Sequence, residues 1–266
     1  MNDLAAKLNC TFPPYLTIEI SNVCNFQCPM CTLHEKDALP PTYMKPETFE
    51  SIVRQIYSTD LKLADLRLFW AGEPMLHPQF SEFLNLLSGH ESRAPKKITV
   101  AFDTNASHLA EFTDVLIECG ENLHLSLIVS MDALTEGTYN KIRVNGDFQK
   151  VQQSVLELLD QKRGHKFPRV AVQFIVMPEN ASELQDFVAF WRQKFAERKL
   201  SFSLMLNSSL AEHDGVNLRP LTEQNLPANQ KEANRFYLKA LKQAKIIEKM
   251  DWGLVESQGG GRYEEK

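Results

Sequence analysis

Short apolar runs alternate with amphipathic stretches along most of the chain. Val, Ile, Leu and Phe dominate six runs that we predict to be strands, at residues 15–20, 66–70, 98–102, 125–129, 170–176 and 202–206. Between these runs, apolar residues recur at i, i+3 and i+4, which predicts helices over residues 48–57, 77–88, 110–118, 151–162 and 182–199. The alternation is typical of βα units built around a parallel sheet.

Within the predicted strands, every second position is small or polar, whereas the opposite face is nearly pure Leu, Ile, Val and Phe. The small or polar positions include Thr17, Glu19, Asp103, Ser126, Ser130, Gln173, Ser203 and Asn207, and Met205 lies on the same face. A sheet covered by helices on one side needs an apolar outer face, so we expect the semi-polar face to line the concave side of an open or closed barrel. We predict that this lumen is a binding surface.

The alternation of predicted strands and helices ends after residue 207. We predict a core barrel over residues 1–207, and an extension over residues 208–250 that consists of a polar loop at 208–227 and an amphipathic helix at about 230–249. Residues 251–266 contain Gly-Gly-Gly and little apolar content to bury, so we expect a flexible tail.

Charge and cysteine content narrow the class of partner. The chain has 29 Lys and Arg against 34 Asp and Glu, a net charge of −5, and therefore offers no basic field for nucleic acid or anionic lipid. It shows no signal peptide and no apolar run of membrane-spanning length. We therefore expect a cytoplasmic protein with small-molecule or protein partners, and in that reducing compartment Cys10 and Cys119 are expected to be ordinary thiols.

The most specific feature is the segment Cys24-Asn-Phe-Gln-Cys28-Pro-Met-Cys31, directly after the first predicted strand. Three thiolates on one tight loop can hold a metal centre, and three ligands leave one coordination position open for chemistry. Spacing alone leaves two alternatives open. One is a structural zinc site completed by His34, and the other is a pair of structural thiols or a stray disulfide.

Five segments at the ends of predicted strands together resemble the radical S-adenosylmethionine (SAM) superfamily, particularly its SPASM or twitch branch. They follow the order of the family motifs and are CNFQCPMC at 24–31, AGEPMLHP at 71–78, DTNA at 103–106, SMDA at 130–133 with TYNKIR at 138–143, and residues 172–177 followed by Asn180. The second and third carry Ala where the family usually has Gly. The resemblance implies an α/β fold, a partial (β/α)6 radical SAM barrel, here with a short helical C-terminal extension.

The same resemblance implies the site residues. Cys24, Cys28 and Cys31 would bind three irons of one [4Fe-4S] cluster, and SAM would chelate the fourth. Gly72 and Glu73 would receive the SAM ammonium, Ser130 and Asp132 would face the ribose, and Arg143 would donate to the SAM carboxylate. The expected cofactor-contact set is Met30, Gly72, Glu73, Asn105, Ser130, Asp132 and Arg143. Glu73 as a helix cap, Ser130 as a turn residue and Arg143 as a surface ion pair remain alternatives.

The activity implied by the resemblance is reductive cleavage of SAM to a 5′-deoxyadenosyl radical, which abstracts a hydrogen atom from a substrate. A reductant such as flavodoxin or ferredoxin is implied as a partner. Two features depart from the family: no cysteine follows Cys119 to hold an auxiliary cluster, and only 23 residues precede Cys24, too few for a peptide-binding winged-helix domain.

The polar lumen favours a small, hydrogen-bonding substrate, contacted by Asp103 and Gln173. Peptide or protein modification, including glycyl-radical activation of a partner, is the alternative within enzymes. A zinc-stabilised binding module is the alternative outside them.

Overall fold

The structure is a computed structural model, and it describes residues 14–31, 33, 40–58, 63–91, 97–221, 230–247 and 261–262. The strands are β1 (Tyr15–Thr17), β2 (Asp65–Arg67), β3 (Thr99–Thr104), β4 (His124–Ser130), β5 (Arg169–Val176), β6 (Ser203–Leu206), β7 (Gly215–Pro220) and β8 (Gly261–Arg262). The helices are α1 (Pro46–Ser58), α2 (Phe80–Glu91), α3 (Leu109–Gly120), α4 (Glu136–Ile142), α5 (Phe148–Gln161), α6 (Leu184–Glu197) and α7 (Gln230–Gln243).

One sheet contains all these strands in the order β1-β2-β3-β4-β5-β7-β6-β8. Strands β1 to β7 run parallel, and β8 pairs antiparallel with β6. The predicted α/β fold is therefore confirmed, and all six predicted strands are present with somewhat different bounds. In the described residues, the sheet is open between β1 and β8.

The prediction of a polar loop over residues 208–227 is wrong, because strand β7 lies within this range. This strand lies between β5 and β6, with Val172 opposite Val216 and Leu204 opposite Val216 from the other side. Residues 208–250 thus contribute a strand to the sheet, while residues 222–229 lie outside the described part. Helix α4 was not predicted, and the helix predicted to reach residue 249 ends at Gln243.

The helices cover the apolar face of the sheet. On α1, Phe49, Val53 and Ile56 follow helical spacing and are buried, as are Phe187 and Trp191 on α6. Burial of such side chains contributes roughly 25 cal/mol per Å² of apolar surface, which is the main force that closes the helices onto the strands. No helix among the described residues combines the length and hydropathy needed to cross a membrane.

The connection from β6 to β7, residues 207–214, runs along the concave face of the sheet, and we call it the return segment. Parallel neighbours usually need a crossover of a dozen or more residues, whereas eight residues suffice here. Asn217 on β7 receives the Ser208 N–H at 3.1 Å and donates to the Ser208 carbonyl at 2.8 Å. Ala211 donates its N–H to Ser126 Oγ on β4 at 2.7 Å.

The return segment changes the predicted lumen. Ile128, Ala171, Met205 and Ala211 form a small apolar cluster, separate from the main core between sheet and helices. Ser126, which we expected to face a substrate, instead holds the backbone of the return segment and is 2% exposed. The lower part of the concave face is thus filled by the chain itself.

Candidate functional site

The three motif cysteines lie on a loop packed against the segment that follows β2. Glu73 donates its N–H to the Val23 carbonyl at 2.7 Å, and a Cβ added to Gly72 would come within 2.0 Å of the Ser21 carbonyl oxygen. Any side chain at position 72 would therefore push the two loops apart. This close approach explains why glycine stands there, and it fixes the cysteine loop over the ends of the strands.

A cavity of about 290 Å³ lies at this edge of the sheet, where the carboxyl ends of parallel strands commonly form ligand sites. Its walls include all the predicted site residues except Asp132, namely Cys24, Cys28, Met30, Cys31, Gly72, Glu73, Asp103, Asn105, Ser130, Arg143 and Gln173. Phe26, Phe69 and Trp70 add an aromatic side, and Trp70 is 62% exposed. The structure thus brings together residues from motifs more than 140 positions apart. We call this space the strand-end cavity.

The three cysteines have free thiols, and two of them lie near side-chain N–H donors. Arg143 Nη1 lies 3.7 Å from Cys28 Sγ, and Asn105 Nδ2 lies 3.8 Å from Cys24 Sγ. Burial raises the pKa of Cys24 to about 11 and also raises the pKa of Cys28, where the nearby Arg143 charge opposes the rise. Metal binding must therefore displace protons from these thiols, and the N–H donors can then stabilise the thiolates.

Glu73 organises the end of β3. Its carboxylate accepts hydrogen bonds from the Asn105 N–H at 2.6 Å, from Thr104 Oγ1 at 2.7 Å and from the Met75 N–H at 3.1 Å. Burial raises the pKa of Glu73, and these three donors oppose the rise. The Met75 contact caps the short 3₁₀ helix Pro74–Leu76. Glu73 is therefore a helix cap, as the alternative predicts, and it also lines the cavity.

Asp132 lies behind the cavity wall, which differs from the expectation that it faces a ribose. It is 0% exposed, forms an ion pair with Arg143, and accepts the Ile175 N–H at 2.6 Å. Its backbone has a φ of 59°, and Asn180 donates to its carbonyl at 2.8 Å. Arg143 follows α4, so this unpredicted helix and the Asp132 carboxylate together aim the guanidinium at the cavity and Cys28.

Arg219 on β7 also lines the cavity and was missed from the sequence. Its Nη1 donates to Gln173 Oε1 at 3.3 Å, and Gln173 Nε2 donates to Ser130 Oγ at 3.3 Å. Both ends of the Gln173 amide are therefore engaged by the protein. The alternation Val216-Asn217-Leu218-Arg219 could have indicated a strand with Arg219 on the polar face.

The zinc alternative requires a fourth ligand beside the three cysteines. Its fourth ligand, His34, lies outside the described residues, as does Cys10. In the described ranges, no three His, Cys, Asp or Glu side chains are grouped to hold a single metal ion. Cys119 is buried away from the cavity, where its thiol contacts Asn85 Oδ1 at 3.5 Å.

Curated relatives match part of the chain. A probable GTP 3′,8-cyclase of Methanocaldococcus jannaschii is 27% identical over 177 residues, which is 66% of this chain and 54% of the relative. A GTP 3′,8-cyclase of Vibrio cholerae is 27% identical over 180 residues, covering 66% of this chain and 50% of the relative. The chain thus spans about half the length of the curated relatives it matches.

Solved structures share the fold. Native anSMEcpe with bound AdoMet superimposes with a TM-score of 0.58 at 22% identity, over 88% of this chain and 60% of that one. Streptococcus suis SuiB bound to the precursor peptide SuiA gives a TM-score of 0.58 at 13% identity, over 91% and 49%.

The model of the Radical SAM superfamily matches residues 18–190, which is well over half of the 266 residues and includes the cysteine loop. The match agrees with the geometry, because strands β2 to β5, the cysteine loop and all the cavity-lining residues except Arg219 and Pro220 fall within this range. The chain belongs to the Radical SAM superfamily and is an enzyme of that family, whose members use a [4Fe-4S] cluster and SAM.

Proposed function

We propose that Cys24, Cys28 and Cys31 hold one [4Fe-4S] cluster, with SAM beside it, and that the enzyme removes a hydrogen atom from a small polar substrate. The observation that carries the proposal is the strand-end cavity, which gathers the three thiols and the polar strand-end side chains in one space. When bound, the reduced cluster supplies the electron that cleaves SAM to methionine and a 5′-deoxyadenosyl radical.

In this proposal, Arg143 and Asn105 hold the cysteine loop in its working orientation. Their N–H groups point at Cys28 and Cys24, where they stabilise negative charge on sulfur. Asp132 keeps the Arg143 guanidinium fixed. Arg143 also lines the cavity, where we propose that it binds the SAM carboxylate. Asp132 is thus proposed as a positioning residue rather than a ribose contact.

The segment after β2 is proposed to receive the SAM ammonium. Gly72 lets its backbone approach the cysteine loop, and the Glu73 carboxylate lies in the cavity wall with negative charge available beside its three protein donors. Ser130, at the end of β4, remains the proposed ribose contact. Met30 lies in the cavity wall between the last two cysteines and is proposed to contact the adenine.

Two observations support a small substrate over a peptide. The return segment fills the lower concave face, which leaves a cavity of about 290 Å³. The curated relatives are GTP 3′,8-cyclases, which act on a small polar molecule. The peptide-bound structures that share the fold are below 25% identity and do not favour a peptide substrate here. A cytoplasmic location and a flavodoxin or ferredoxin reductant remain part of the proposal.

Formation of 5′-deoxyadenosine tests the proposal. Protein reconstituted anaerobically with iron and sulfide should produce it from SAM and dithionite, and Cys28→Ala should reduce the amount to background, because the cluster loses a ligand. The matched control is Cys119→Ala, another buried cysteine that does not line the cavity. Equal 5′-deoxyadenosine from the Cys28 variant and the wild type would show that the cluster assignment is wrong.

A further inference from the structure

We propose that Arg219 is the receptor for an anionic group, a carboxylate or a phosphate, on the substrate. The inference deepens the proposed function, since it names the class of molecule that the strand-end cavity takes. It rests on the position of Arg219, on the partners of its guanidinium, and on the way the return segment closes the space below it.

Arg219 lies on the concave face of β7, opposite Ile175 of β5 in the sheet register. The next concave-face position below it on the same strand is Asn217, which holds the Ser208 backbone of the return segment. Arg219 is therefore the first side chain of β7 above the filled part of the lumen. A group that enters the cavity from the cysteine side meets Arg219 at the floor.

The guanidinium of Arg219 has unused binding capacity. Its one hydrogen bond in the described structure is the 3.3 Å contact from Nη1 to Gln173, although a guanidinium carries five N–H donors. Arg219 forms no ion pair with any described carboxylate, and its side chain is half-buried. A half-buried cation with spare donors in a fork is suited to a carboxylate or phosphate, which can accept two parallel N–H bonds.

The other cation in the cavity wall, Arg143, already has a carboxylate partner. Arg143 is paired with the buried Asp132 and directed at Cys28, which suits a structural role and a role toward SAM. Arg219 has no such partner, and Gln173 fixes it by a chain of hydrogen bonds that ends at Ser130. Two cations with different partners, Arg143 after α4 and Arg219 on β7, indicate two anionic groups to be bound, one on the cofactor and one on the substrate.

Asp103 completes the floor from β3. Burial raises the pKa of Asp103 to about 7, and the Arg219 charge is the largest influence that opposes the rise. Near neutral pH, Asp103 is therefore partly protonated, and its protonated form can donate a hydrogen bond. The floor thus offers an anion receptor next to a carboxyl group, which fits a substrate that carries an anionic group beside a hydroxyl or an amine.

Binding of two small anions tests the proposal. Inorganic phosphate and acetate are titrated into the reconstituted protein by calorimetry, with chloride used to hold the ionic strength constant. At least one should bind the wild type, and which one binds distinguishes a phosphate-bearing from a carboxylate-bearing substrate. Arg219→Gln should raise the dissociation constant of the anion about tenfold or more, since a charge-assisted hydrogen bond is lost.

Two further variants make the result specific. Arg219→Lys keeps the positive charge but loses the paired N–H donors of the guanidinium, so its anion affinity should fall between those of the wild type and the Gln variant. If the Gln variant fails to fold, the Lys variant tests the same contact. Arg54→Gln removes an exposed arginine of α1 and should bind the anions as the wild type does. The SAM affinity of Arg219→Gln should stay within about twofold of the wild type, because the proposal assigns SAM to Arg143.

The proposal is overturned if neither anion binds the wild type, if Arg219→Gln binds them unchanged, or if Arg219→Gln loses SAM affinity. The last result would assign Arg219 to the cofactor. These outcomes are separate from failure of the cluster assignment. A protein without iron would contradict the proposed function, whereas the anion titration would still report on Arg219.

Discussion

Asp103 and Arg219 are the charged side chains at the floor of the strand-end cavity, and burial affects Asp103 strongly. Its pKa rises to about 7 because the neutral carboxyl is favoured in the partly buried site; Arg219 and Arg67 lower it, and Glu73 raises it. In an unfolded chain, the same carboxyl titrates near pH 4. Between about pH 4 and about pH 7, the folded protein therefore binds more protons at this position than the unfolded chain does.

This difference predicts how stability depends on pH. Because the folded state holds the extra proton, the contribution of Asp103 to the free energy of unfolding falls as the pH rises from about 4 to about 7. Asp103→Asn cannot ionise and should escape this loss. Denaturant unfolding should therefore show the variant gaining stability relative to the wild type across this range. Asp114→Asn, at an exposed position on α3, is the matched control, and parallel pH profiles for wild type and Asp103→Asn would contradict the account.

Some residues of the site could be predicted from the sequence and others could not. The three cysteines lie within eight positions, so their spacing alone brings them together. The position of Asp132 depends on a left-handed backbone conformation and on Arg143, eleven residues away, and neither is visible in a pattern of polar and apolar positions. The contact of Gln173 with Arg219 depends on β7, where the sequence pattern predicts a loop.

At the scale of elements, β7 and the return segment decide the depth of the cavity. Strand β7 was missed because its concave-face positions, Asn217 and Arg219, gave the segment a polar composition. The return segment that precedes it also lacks apolar periodicity, since its backbone is held by Asn217 and Ser126 rather than by apolar packing. A search for strands by their apolar runs therefore easily misses a strand whose concave face is polar and whose preceding segment is also polar.

Gly215 is the first residue of β7, directly after the return segment. We predict that substitution at this position strongly lowers the stability of the fold. Its φ is 146°, and a Cβ there would lie 1.9 Å from the Ser203 carbonyl oxygen, which is backbone and cannot move aside cheaply. Gly215→Ala should lower the free energy of unfolding by roughly 3 kcal/mol or more, as the pairing of β6 with β7 is displaced. Denaturant unfolding measures this change.

Gly89→Ala is the matched control for Gly215→Ala. Gly89 lies within α2, and among the described residues no atom outside the helix's own backbone lies within 4 Å of an added Cβ, so the variant should be more stable by about 0.5–1 kcal/mol through helix propensity. Equal effects of the two substitutions would contradict the tight fit assigned to Gly215.

At the scale of the whole molecule, the order of βα units could be predicted because each strand and helix carries its own periodic pattern. The family match over residues 18–190 covers these units, and the cavity adds Arg219 and Pro220 from beyond that range. The chain matches about half the length of its curated relatives, and this similarity assigns no substrate to it. The central claim is therefore the cluster and its three cysteine ligands.

Metal and sulfide content after anaerobic reconstitution tests this claim most directly. One cluster predicts roughly four irons and four sulfides per chain, lost in Cys24→Ala, Cys28→Ala or Cys31→Ala and retained in Cys10→Ala and Cys119→Ala. Zinc in place of iron, or a reproducible iron content near twice this value, would contradict the account.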